Sequence, residues 1–279
     1  MPRPKKKPIA FTASPVHNLP SKGGTLMNVR LALLCGIVTV GMAADLPHAG
    51  KWKMNLARSD FGQTTITFEN LPGGEWQATA FGITYKFKMD GKDYPDGMGG
   101  TAAWKALDAN TWEMVAKANG KVTGTDTFKL GADGNTLTDS ASQKKLNGGT
   151  IDSTTAYERV SGGPSLAGKW KTKKVSGATG MLEMTSTGTD GLVFKDPDMG
   201  MSCDAKLDGK DYPCTGPMLP PGFTMAVKNA GRSLDMTVKK DGKPFFKATY
   251  AVSADGKTMT ESGATVTGGE KFTIVFDRM

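Results

Sequence analysis

The sequence predicts an all-β protein: two tandem antiparallel up-and-down β-barrels of about eight or nine strands each, behind a leader. Three observations carry this. Apolar and polar side chains alternate with a period of two, turn signals separate the alternating runs, and the whole pattern occurs twice.

The alternation is clearest where Ile83, Tyr85, Phe87 and Met89 fall on one face and Thr84, Lys86 and Lys88 on the other. Leu234, Met236 and Val238, and again Phe272, Ile274 and Phe276, repeat it. Such runs are the pattern of half-buried antiparallel strands. Between them lie Pro72-Gly73-Gly74, Asp90-Gly91, Asn119-Gly120, Asp133-Gly134 and Asn147-Gly148, residues that enter positive φ at little cost. A meander of this many short strands removes its exposed edges most simply by closing into a barrel. Two open β-sandwiches would fit the strand pattern as well.

The duplication is read from four ordered blocks. Gly50-Lys51-Trp52-Lys53 returns as Gly168-Lys169-Trp170-Lys171, and Asp90-Gly91-Lys92-Asp93-Tyr94-Pro95 returns at the same offset as Asp208-Gly209-Lys210-Asp211-Tyr212-Pro213. Ala132-Asp133-Gly134 is answered by Ala254-Asp255-Gly256, and Tyr157-Glu158-Arg159 by Phe276-Asp277-Arg278. The period is too long for a solenoid and means two domains. The expected division is a leader over residues 1–44, one barrel over 45–160, a Gly/Pro/Ser linker over 161–167 and a second barrel over 168–279.

The chain of 279 residues has a formal charge of +8. Six basic residues (Arg3, Lys5, Lys6, Lys7, Lys22 and Arg30) and no acidic one lie in residues 1–44, so the remainder is close to neutral. The excess charge therefore belongs to the leader, which argues against nucleic acid as a partner. Met27 is read as a second start: a short positive stretch through Arg30, an apolar run over 31–42, and small residues Ala43 and Ala44 form a signal-peptide pattern with cleavage near Ala44. An uncleaved anchor is the alternative. With cleavage, the product is periplasmic or secreted and is not stably inserted in a membrane. Cys203 and Cys214 then reach an oxidising space, where two cysteines most simply form one disulfide.

A barrel that opens with Gly-x-Trp and closes with Arg resembles the bacterial exported lipocalin-like, or calycin-type, proteins. The resemblance implies that the first-strand Trp closes one end of each barrel under the last-strand Arg, pairing Trp52 with Arg159 and Trp170 with Arg278. The residues agree in parity, since Arg278 shares a face with Phe276 and Ile274 and Arg159 with Tyr157, and an Arg on an apolar face is accounted for by stacking on Trp. The Thr-Asp-Tyr motif of true lipocalins is absent from the sequence.

The resemblance also implies a cavity for a small apolar or amphipathic ligand. Trp76, Phe81, Tyr85, Phe87, Trp104 and Trp112 are the candidate lining residues, with plain core packing as the competing role. The Asp-Gly-Lys-Asp-Tyr-Pro motif reads as a hairpin turn in preference to a ligand-contacting rim or a Ca²⁺ loop, whose alternating oxygen ligands it lacks. Met199, Met201 and Cys203 would share one strand face, a pattern that suits Cu(I), but core packing and a disulfide account for them. His48 falls just past the expected cleavage point, where the chain should be loose, and no carboxylate pair shows a distinctive spacing. The expectation is thus a non-enzymatic binding protein without metal or cofactor and with no protein partner specified. The alternative is a structural or protein-interaction module with filled barrels.

Overall fold

The computed structural model describes residues 46–61, 64–266 and 269–279; the leader, with its second start and cleavage point, lies outside them. The fold is all-β. The first repeat supplies β1 (Gly50–Met54), β2 (Thr65–Leu71), β3 (Glu75–Ala80), β4 (Ile83–Lys88), β5 (Asp90–Pro95), β6 (Thr101–Asp108), β7 (Thr111–Ala118), β8 (Lys121–Leu130), β9 (Thr136–Lys144) and β10 (Thr150–Ser161). The second supplies β11 (Gly168–Gly177), β12 (Met181–Thr187), β13 (Gly191–Asp196), β14 (Met201–Lys206), β15 (Asp208–Thr215), β16 (Phe223–Asn229), β17 (Ser233–Lys240), β18 (Lys243–Val252), β19 (Thr258–Thr265) and β20 (Lys271–Arg278). Each repeat therefore holds ten strands, one or two more than the turn signals indicate, because corners such as Met89 join strands without a recognisable turn sequence.

The strands form two antiparallel ten-stranded sheets, and the repeats exchange their opening strands. One sheet is a closed barrel of β12 to β20 with β1 inserted between β20 and β12. The other runs β4-β3-β2-β11-β10-β9-β8-β7-β6-β5 and stops short of closure between β4 and β5. This corrects the division at residues 160 and 168. The opening strand of the first repeat belongs to the closed barrel, and that of the second to the open one. The physical reason lies in the expected linker. It is a hairpin loop, across which β10 and β11 pair from Ser153↔Gly177 to Ser161↔Lys169. A contact between neighbours in sequence costs little loop-closure entropy, so β11 folds back on β10. The groove between β20 and β12 is left to β1.

The exchange also corrects the Trp–Arg pairing. Arg278 covers Trp52, and Arg159 covers Trp170, with guanidinium carbons 4.1 and 3.9 Å from the ring centroids. In both pairs the two residues are direct cross-strand partners. Both tryptophans are fully buried. Their indole N–H groups donate to the carbonyls of His48 and Leu166 at 2.8 and 2.9 Å. Each arginine then ties the barrel end together. Arg278 donates to the carbonyls of Gly256, Ala49 and Pro47, and Arg159 to those of Gly134, Ala167 and Ser165. The glycine of Gly-x-Trp makes room for this: a Cβ on Gly50 (φ +141°) would lie 2.5 Å from Arg278 Nη1, and one on Gly168 (φ +147°) 2.8 Å from Arg159 Nη1.

His48, expected in a loose segment, is fully buried as part of this end plug. Its Nε2 donates to the Tyr250 carbonyl at 2.9 Å. Burial, the dominant effect, holds its pKa below the usual imidazole value.

The repeated Asp-Gly-Lys-Asp-Tyr-Pro is not a hairpin turn. It is the bulged start of β5 and β15, with the register slipping between Asp90 and Asp93 and between Asp208 and Asp211. The corner is tied locally: Tyr94 and Tyr212 donate to Asp90 and Asp208 at 3.1 and 3.2 Å. Lys117 and Lys239 pair with Asp93 and Asp211. These contacts explain the motif as architecture. In the closed barrel the seam beyond the corner is bridged by Cys203–Cys214, which are bonded as expected and face each other across β14 and β15. Their counterparts in the open barrel are Tyr85 and Asp96, and there β4 and β5 have no ladder.

Direct contacts join the barrels. Thr65 donates through its backbone N–H and hydroxyl to Glu270, both at 2.8 Å, Lys145 pairs with Asp198 at 3.1 Å, and Asn119 donates to the carbonyl of Leu219 at 3.2 Å.

Candidate functional site

The closed barrel is filled by residues such as Met184, Leu192, Met225, Leu234 and Met259. The core of the open barrel is an aromatic stack. Trp104 lies between Phe87 and Phe128, at 4.7 and 5.2 Å between ring centroids, and Phe68 meets Trp104 edge-on. A cavity of about 220 Å³ remains beside the stack.

That cavity holds two carboxyl groups. Asp126 shares its strand face with Phe128 and Leu130 on β8, and Asp139 shares its face with Leu137 on β9, so the pleat that aims the apolar residues inward aims both carboxyls inward too. Asp139 stands opposite Phe128 and Asp126 opposite Ala141, which makes the two diagonal cross-strand neighbours, a relation spanning roughly 7–8 Å between Cα atoms. Asp139 is only 9% exposed, and its Oδ1 has no hydrogen-bond partner among the described residues. Burial, reinforced by the Asp126 charge, pushes its pKa up to about 8. Burial alone pushes Asp126 to about 6. The pair therefore binds protons near neutral pH and attracts positive charge.

The cavity leads outward. It shares Thr64, Phe81, Tyr157 and Thr172 with an apolar pocket of about 400 Å³ between the barrel mouths. From the closed barrel this pocket takes Phe245, Phe246, Phe272 and Ile274, with Glu261 among them. Glu261 is 7% exposed, and burial raises its pKa to about 7 while a hydrogen bond from Tyr250 opposes the rise. Phe81 forms the lip. It is 52% exposed at φ +51°, in a turn of the kind that elsewhere carries Asn119-Gly120 and Asp241-Gly242. Asn and Asp tolerate that conformation and a Phe pays a steric cost in it, so its presence there is a functional pointer.

Of the aromatic residues expected to line a cavity, Phe81, Tyr85 and Trp104 do so. Phe87 and Trp112 are buried in the open barrel's core, and Trp76 packs against it. The stack and the wall use the same residue types, so type alone does not separate them. Tyr85 accepts a hydrogen bond from the Trp104 indole at 3.1 Å, which leaves its own O–H to donate. Asp126, Asp139 and Glu261 escape a search for motif spacing, yet each sits on the apolar parity of its strand. The parity test that singles out Arg159 and Arg278 finds them as well. Among the described residues no group of three His, Cys, Asp or Glu side chains could hold a metal ion, and Cys203 is taken up by the disulfide. No helix among the described residues is long and apolar enough to cross a membrane, and the disulfide points to a non-reducing compartment.

No protein-family profile matches the chain, and no curated protein matches it.

Proposed function

We propose that this is an exported binding protein that takes a small apolar or amphipathic molecule into the pocket between its two barrel mouths. The observation that carries the reading is the phenylalanine-lined pocket of about 400 Å³ that continues into a smaller cavity holding two carboxyl groups. Volumes of roughly 300–1,000 Å³, mostly apolar with a few placed polar groups, are what small-molecule sites offer. The costly placement of Phe81 supports it. The signal-peptide pattern and the disulfide support export to the periplasm or beyond. Kinship with lipocalin-like proteins is supported by the Trp–Arg closure, and the ten strands distinguish these barrels from the eight of lipocalins.

The test is titration with the neutral fluorophore N-phenyl-1-naphthylamine. One saturable site is expected, weakened at least about tenfold in Phe246→Asp, which places a charge in the apolar wall. Absence of saturable binding rejects the reading.

A second reading has one observation in its favour. Asp126 and Asp139 form a buried carboxyl pair of the kind used in acid–base catalysis. Turnover of chromogenic glycosides or esters by the wild type, lost in Asp139→Asn, would establish it.

A further inference from the structure

We propose that the ligand is a lipophilic cation, whose ammonium group docks against Asp139 and Asp126 while its hydrocarbon body lies among Phe81, Phe245, Phe246 and Phe272. The proposal rests on the binding reading above and names the chemical class for the same site.

Four observations lead to it. Asp139 is nine-tenths buried, lines the cavity and keeps one oxygen without a partner among the described residues. A buried polar atom left unsatisfied is costly, and a donor arriving from the cavity would satisfy it. Asp126 lies diagonally beside it and adds negative potential at the same spot. Among the described residues, neither the cavity nor the outer pocket has a Lys, Arg or His in its wall, so a carboxylate or phosphate ligand would meet acids with no counter-charge. The remaining wall suits an ammonium: the aromatic rings of Tyr85 and Tyr157 line the cavity with the two acids. The apolar pocket then takes the hydrocarbon, with the carboxyls at its inner end.

The geometry also separates Asp139 from Glu261. Glu261 lines the outer pocket but has the Tyr250 hydroxyl as a donor. Asp139 has Phe128 opposite it in the equivalent place, and so is the acid left open for a ligand.

The test compares three twelve-carbon probes on the full chain by calorimetry at pH 7.5, each below its solubility or micelle limit: dodecylamine, dodecanol and dodecanoic acid. The expected order is amine, alcohol, acid, with the amine at least about tenfold tighter than the alcohol, the scale of one charge-assisted hydrogen bond. In Asp139→Asn the amine should fall to the alcohol's affinity while the alcohol is unchanged. Should that variant fail to fold, the wild type still decides. Facing Asp139 are Asp126, Tyr157 and Tyr85, none of them basic, so docking an ammonium should expel a proton from the pair, and the binding heat at pH 6.5 should change with the ionisation enthalpy of the buffer. Equal affinity of amine and alcohol, or buffer-independent heat, overturns the cation proposal and leaves the binding reading standing. No saturable heat with any of the three overturns both.

Discussion

The two barrels share their closure and differ in their interiors. Both end in a Trp under an Arg, with a Gly beneath the guanidinium, and both start their fifth strand with the same Asp–Tyr corner. Where the closed barrel has Cys203, Cys214, Tyr250 and Glu261, the open barrel has Tyr85, Asp96, Phe128 and Asp139. Its Asp126 matches Ala248 in the closed barrel. One copy has a stapled seam and an acid satisfied by its cross-strand Tyr. The other has an open seam and a pair of acids around a cavity. What closes the barrel is common to both copies, and what differs leaves the open barrel with a cavity that holds two acids.

The largest effect should come from breaking the exchange. Trp52→Ala removes a fully buried indole and its Arg278 stack, and should cost about 3–5 kcal/mol. Because β1 sits in the closed barrel, hydrogen exchange should accelerate in residues 181–278, whereas Trp170→Ala should loosen residues 65–161. Loss confined to a mutation's own repeat would show that the strands are not exchanged.

Replacing Cys203 and Cys214 with Ser should destabilise the closed barrel by roughly 2–3 kcal/mol through the short loop they close. The open barrel should be unmoved, as read by the same exchange profile.

The acids give a smaller, pH-dependent contrast. Asp139 holds its proton more tightly folded, at about 8, than unfolded, at 3.8. The sign follows: the folded chain binds more protons, so stability falls as pH rises through that window and the whole penalty is present above pH 8. Asp139→Asn removes the slope and should stabilise the protein at high pH by on the order of 1–3 kcal/mol, seen as thermal midpoints that converge with wild type toward pH 4. Phe128→Tyr sharpens the point. It gives Asp139 the partner that Glu261 has, and should stabilise the open barrel while weakening amine binding.

The smallest effect belongs to the corners. Lys117→Ala and Lys239→Ala each remove a partly exposed ion pair and should each cost less than about 1 kcal/mol, and less still in high salt. A large loss from either would mean that the corner holds the barrel shut.

Much of the fold was legible because its signals are local. Alternation of the kind seen from Ile83 to Met89 depends only on neighbours, and duplication is visible by eye. The exchange was not legible, because residues 161–167 can serve as a linker or as a hairpin loop, and only the pairing of Arg159 with Trp170 decides between them. The site was half legible. Phe81, Tyr85 and Trp104 were found by residue type, which could not separate them from Phe87, Trp76 and Trp112 in the packing. The acids are visible by parity, beside Leu130, Leu137 and Met259, but motif spacing, the usual sign of catalytic carboxyls, has no bearing on groups brought together across a sheet.

On the proposed reading, the open barrel keeps Asp139 as an unsatisfied acid for a ligand's positive charge, while Glu261 already has a partner. Carbon-13 NMR titration of the two side-chain carboxyls, with and without saturating dodecylamine, tests it most directly. Asp139 should titrate well above the ordinary carboxylate range in the empty protein and at markedly lower pH with the amine bound, while Glu261 moves little. An Asp139 that titrates in the ordinary range, or that does not respond to the amine, would contradict it.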